Sequence, residues 1–133
     1  MERKRKVALL AFSCLLLGLT TMSFAADPVW RVVEGAQLQT LFVDKELGDE
    51  AHFSYRFRRD GTFSGDEMAK DVLGKWRTTS RHLCWSWIKP RGSEECYEVR
   101  RSGVDVRLFR HGYETLSGRL APLETNVQQE SGK

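Results

Sequence analysis

From Trp76 to Leu120 the chain repeats one pattern: aromatic or β-branched residues alternate with polar ones, and turn residues break the alternation every eight to twelve positions. A period of two puts every second side chain on one face of an extended strand, and short strands at this spacing fold back on one another. The segment therefore predicts an antiparallel meander. Residues 82–88 place Leu83, Trp85 and Trp87 on one face, and Lys89-Pro90-Arg91-Gly92-Ser93 forms the connection. Residues 95–101 follow, with Tyr97 and Val99 on one face and Cys96, Glu98 and Arg100 on the other. Ser102-Gly103 turns the chain, Val104, Val106 and Leu108 alternate with Asp105 and Arg107, His111-Gly112 turns it again, and residues 113–120 complete the sheet.

Upstream, Ala36, Leu38, Leu41 and Phe42 suit a short helix lying on a core, which Glu34 and Gly35 open. After Gly48 the period changes to two. Phe53, Tyr55 and Phe57 alternate with Ser54, Arg56 and Arg58, and Asp60-Gly61 turns tightly into Thr62-Phe63-Ser64. Residues 65–71 carry four charges and read as an exposed loop before the strand of residues 72–79. The expected fold is all-β: an antiparallel meander or a small barrel of about seven strands with one short N-terminal helix. A meander of six to eight strands can close on itself and so protect its edges.

The first 25 of the 133 residues have the three parts of an export signal in order. Residues 2–6 are basic, residues 7–19 carry no charge, and Ser23-Phe24-Ala25 offers small residues at both recognition positions before a cut preceding Ala26. A membrane span needs about 20 apolar residues, and this run meets Thr20 and Thr21 first. Cleavage leaves 108 residues, read as a single β domain over 26–121 and a flexible polar tail over 122–133. The signal holds four of the 21 Lys and Arg and one of the 18 Asp and Glu, leaving 17 of each in the remainder. The basic surface expected of a nucleic-acid binder is thereby lost. The expected destination is periplasmic or secreted, with no stable membrane span after cleavage.

Cys14 leaves with the signal, so Cys84 and Cys96 remain as an even pair in a chain sent to an oxidising compartment, where a disulfide is the default. Metal is not expected, because no Cys-x-x-Cys and no closely spaced His pair completes a ligand set. If Cys84 faces Cys96 across adjacent antiparallel strands, Leu83 meets Tyr97 and His82 meets Glu98. That register puts an apolar pair on one face and the cross-link on the outer one. Closing the 11 intervening residues contributes roughly 2 to 3 kcal/mol.

With Gly74-Lys75-Trp76, Leu83-Cys84-Trp85-Ser86-Trp87, Cys96-Tyr97-Glu98-Val99 and the Asp60-Gly61 turn in order, the chain resembles a family of short exported bacterial proteins of unknown function. The likeness covers about residues 36–120 and implies a small antiparallel β domain; it transfers no catalytic residue. Gly74-Lys75-Trp76 is also similar to the Gly-x-Trp signature of lipocalins, which implies a calycin-type barrel.

No catalytic constellation emerges, and an enzyme is not expected. In Gly61-Thr62-Phe63-Ser64-Gly65 the serine stands one place too late for a nucleophile elbow. His52, His82 and His111 are scattered, and His82 is expected to pair with Glu98 at the surface. Asp66-Glu67 and Glu94-Glu95 are adjacent acids on expected loops, without the flanking geometry of a glycosidase. No glycine loop cradles phosphate and no cofactor is implied. What remains is aromatic density, with Tyr55, Phe57, Trp76, Leu83, Trp85, Trp87 and Tyr97 on or near one face. Rings dominate burial in so small a domain, and packing accounts for such a face. Two functional readings compete with packing: a cavity in which Tyr55, Trp76, Trp85, Trp87 and Tyr97 hold a ligand, and a rim that grips another protein. The expected function is thus a non-catalytic exported binding or interaction domain, its partner an unidentified protein or small apolar ligand of the envelope. Alternatives are a calycin-like carrier of a small hydrophobic molecule and an inhibitor of an envelope-directed hydrolase.

Overall fold

A computed structural model describes residues 22–124. The export signal expected over residues 1–25 therefore lies almost wholly outside the described residues, as does most of the tail expected over 122–133. The elements in chain order are β1 (Arg31–Val33), α1 (Ala36–Phe42), β2 (Lys45–Gly48), β3 (Phe53–Phe57), β4 (Thr62–Glu67), β5 (Lys70–Thr78), β6 (Leu83–Lys89), β7 (Glu94–Ser102), β8 (Asp105–Arg110) and β9 (Tyr113–Pro122). Strands β2 to β9 run up and down in sequence order, every neighbour antiparallel, and β9 returns to pair with β2. Eight strands thus close a barrel. Strand β1 is the ninth, laid along β7 beyond the point where the β6 ladder ends. Among the described residues no helix is long and apolar enough to cross a membrane.

The alternation that predicts strands also decides what fills the barrel. Phe57, Phe63, Leu83, Val99 and Leu108 are fully buried and, with the other inward residues, form one contiguous core. Phe63 is its hub, with ring centroids within 5.1 Å of Tyr55, Phe57, Trp85 and Trp87. Helix α1 covers one end, burying Leu38 and Phe42 completely and setting the Phe42 ring 5.0 Å from Phe57. Glycine admits this packing at two places. A β-carbon on Gly65 would lie 1.9 Å from the Ser54 carbonyl oxygen, and one on Gly74 2.3 Å from that of Ser86.

The helix of residues 36–42 forms as expected, and the barrel closes. Three expectations need correction. First, the described residues form nine strands, eight in the barrel and β1 beside it, rather than about seven, because β1 and β2, of three and four residues, are too short to display a period. Second, residues 65–71 are no loop. Strand β4 continues to Glu67 and β5 starts at Lys70, so Met68-Ala69 is a two-residue hairpin turn with φ of 48° and 63°. Left-handed turns of this kind usually carry Gly or Asn, and here neither is present to signal one. Third, His82 does not meet Glu98. The β6–β7 ladder begins at Leu83 opposite Tyr97, and beyond it β7 pairs with β1. His82 instead closes the β5–β6 turn, its N–H donating to Thr79 Oγ1 at 2.9 Å, while Glu98 accepts from Arg100 at 2.9 Å.

Cys84 does face Cys96, joined by a disulfide, on the side of the sheet opposite Leu83 and Trp85. Cys84 is nonetheless fully buried. The Arg77 guanidinium, on the β5 residue opposite Cys84, reaches the Glu94 carboxylate on β7 at 2.9 Å and so spans this part of β6. Mass spectrometry of the purified chain is expected to show two hydrogens fewer than the reduced form. Replacing both cysteines by alanine is expected to lower stability by roughly 2 to 3 kcal/mol in urea unfolding. Two free thiols, or an unchanged midpoint, would remove the staple.

Candidate functional site

The two ends of the barrel differ. At one, α1 covers the core. At the other, the β2–β3, β4–β5, β6–β7 and β8–β9 hairpins surround inward side chains that are not all apolar. Here β3 and β4 bring the Tyr55 hydroxyl to Glu67, whose carboxylate accepts its hydrogen bond. On the facing wall Tyr97 donates to Glu95 Oε2 at 2.7 Å, and Arg110 Nη1 donates to Glu95 Oε1 at 2.8 Å. Between them lie the indoles: Trp85 stands 4.6 Å from the Tyr97 ring and 5.7 Å from that of Tyr55, which is 5.8 Å from Trp87. The Trp85 N–H is buried and meets no acceptor among the described residues.

Burial acts first on both phenols, and the carboxylate each one faces acts second. Together they raise Tyr55 and Tyr97 far above the ordinary tyrosine value. The two hydroxyls are therefore neutral donors at every physiological pH, and Glu67 and Glu95 are committed as their acceptors. The phenols, carboxylates and Arg110 of the mouth are hydrogen-bonded to one another between aromatic walls, while the buried Trp85 N–H has no acceptor among the described residues.

Of the five candidate ligand-binding residues, Tyr55, Trp85, Trp87 and Tyr97 come together here. Trp76 does not, because it lies nearer α1, edge-on to Phe57 at 5.5 Å with its N–H donating to the Arg58 carbonyl at 2.7 Å. Tyr55, Trp76, Trp85 and Tyr97 are core residues exposed by 6% or less, and only Trp87 keeps partial exposure. The principal surface grooves among the described residues are lined without Trp85 or Trp87.

Sequence reasoning missed Glu67, Glu95 and Arg110. It took both acidic pairs for loop residues, whereas strand alternation splits each pair. Glu67 shares the inward parity of Phe63 and Gly65, while Asp66 points out to Arg56 at 3.0 Å. Glu95 shares the parity of Tyr97, while Glu94 points out to Arg77. Carrying the period of Phe63 four residues on to Glu67, and that of Tyr97 two residues back to Glu95, would have found both.

The remaining titratable groups make other arrangements. The closest cluster of metal-type donors is Cys84, Cys96 and Glu94, but the sulfurs are bonded to each other and Glu94 is held by Arg77. His52 Nδ1 lies 2.7 Å from Asp49 Oδ2 on the β2–β3 turn, beside an open groove of about 730 Å³. Asp49 Oδ1 also accepts the backbone N–H groups of Ala51, His52 and Phe53 at 3.0, 2.6 and 3.1 Å, so this carboxylate ties the turn. Those bonds, the His52 N–H foremost, hold the Asp49 carboxyl well below the usual range. His111 lies exposed in the β8–β9 turn with φ of 52°. Comparison with protein-family models, curated proteins and solved structures found no match.

Two pH predictions follow from opposite shifts. A depressed carboxyl contributes stability that is complete above its unfolded value near ~4 and is lost as pH falls below it. Chemical unfolding between about pH 5 and pH 2 is therefore expected to show a steeper loss for the native chain than for Asp49→Asn; parallel curves would contradict it. The raised phenols contribute stability that is complete below ~10 and is lost as pH rises beyond. In a Tyr113→Phe background, phenolate absorbance is expected to appear only together with alkaline unfolding followed by circular dichroism. Ionisation preceding unfolding would place Tyr55 or Tyr97 in water.

Proposed function

We propose that this chain is a non-catalytic exported binding domain that engages a protein partner at the hairpin end of the barrel. One observation carries the reading: three of the four hairpins at that end present a large exposed apolar side chain, Met68, Ile88 and Tyr113, at 70%, 53% and 78% exposure. Such side chains, set around a half-buried indole and the Glu95–Arg110 pair, resemble the aromatic and arginine anchors with a polar rim that protein interfaces use. The Cys84–Cys96 disulfide and the three-part leader support delivery to an oxidising compartment. The family resemblance, carried by its motifs, agrees with a small exported β domain. A carrier of small hydrophobic molecules draws less support, since the rings that would line its cavity touch one another.

The test is capture from a periplasmic extract by the immobilised mature chain, followed by titration of the recovered protein. Replacing Met68, Ile88 and Tyr113 together by serine is expected to weaken binding by at least about tenfold per anchor while leaving the circular dichroism unchanged. Arg101→Gln, at the other end, should bind as the native chain does. Undiminished binding by the triple variant, or no saturable partner, sinks the proposal. A saturable tryptophan response to apolar small molecules would favour the carrier.

A further inference from the structure

The helix-covered end carries an arrangement that neither the fold nor the hairpin-end reading explains. Strand β1 sets Arg31 directly opposite Arg101 of β7, two residues along from the buried pair Val33 and Val99. Directly opposed residues share a face, so both guanidinium groups rise from the inward-facing side where the sheet runs past the barrel rim, and both are exposed. Like charges placed in this way repel and cost stability.

Nothing among the described residues offsets that cost. Eight of the twelve described arginines have a carboxylate oxygen within 4.0 Å; Arg31 and Arg101, like the separate Arg58 and Arg91, have none, and of these four only Arg31 and Arg101 face each other across a strand pair. Acids at nearby positions go elsewhere: Glu34 lies 3.8 Å from Arg81, Glu98 2.9 Å from Arg100, and Asp105 3.3 Å from Arg119. The two arginines instead border an open groove of about 740 Å³, whose lining also includes Gln37, Ser102 and Gly103.

We propose that Arg31 and Arg101 bind a phosphoryl group. A guanidinium presents parallel donors that match two oxygens of an oxyanion, and two of them facing one groove call for more oxygens and more charge than one carboxylate offers. A phosphate monoester carries nearly two negative charges at neutral pH and three free oxygens, which suits the pair. The site lies at the opposite end of the barrel from the proposed protein contact and does not depend on it.

Binding is read by the Arg Nε–Hε resonances and by thermal unfolding of the full mature chain, titrated with inorganic phosphate. Phosphate is expected to shift the Arg31 and Arg101 resonances along one saturable curve and to raise Tm, because a ligand that binds only the folded state stabilises it. Arg31→Gln and Arg101→Gln should each weaken binding about tenfold or more, and the double variant should show no response. Arg91→Gln, in the β6–β7 loop, should respond as the native chain does. Vesicles of phosphatidylcholine with and without phosphatidic acid separate the sources. Co-sedimentation with phosphatidic acid that the double variant loses assigns a lipid-borne phosphate, and a response to inorganic phosphate alone assigns a soluble one. A native chain that responds to neither, or a double variant that responds equally, overturns the site.

Discussion

Four residues of β2 hold the structure together. By pairing with β3 on one side and β9 on the other, Lys45–Gly48 turns a row of hairpins into a ring with an inside. Every inward side chain then competes for the same limited volume, and in so short a chain large rings fill it. Closure also removes most of the edges along which an open meander would pair with its neighbours. The aromatic density that catches the eye in the sequence is thus a consequence of closing a small barrel and filling it.

Much of this is legible from residue order. The alternation of Phe53, Tyr55 and Phe57, and of Leu83, Trp85 and Trp87, names the strands and their inner faces. Two cysteines fix one ladder to the residue. The illegible parts have physical causes. Three or four residues are too few to show a period, so β1 and β2 stay hidden although one of them closes the ring. Met68-Ala69 turns the chain with φ above zero without the glycine or asparagine that would advertise it, and a run of charges masks the strand ends on either side. His82 loses its expected partner because β1, an unforeseen strand, takes the place along β7 where β6 would have continued.

The candidate site was legible only in part. Its aromatic members were named from the sequence, but all except Trp87 are core, and the polar members that give the mouth its character were read as solvent-facing loop residues. Adjacent acids look alike in a sequence and part company in a strand. Glu67 and Glu95 become acceptors for buried phenols, whereas Asp66 and Glu94 join surface ion pairs that contribute little individually. Position within the strand, rather than residue type, decides which of two neighbours belongs to the site.

That division makes the covalent link between β6 and β7 a proofreader. A slip of one residue between these strands would turn Tyr97 to solvent, bring Glu94 inside in place of Glu95 and strand Arg110 without its carboxylate. In that slipped pairing the sulfurs of positions 84 and 96 would no longer lie across from each other, so oxidation seals only the alignment in which the mouth is assembled. The cross-link, one residue from Tyr97 but facing the other way, thereby certifies the chemistry of the phenols each time a chain folds.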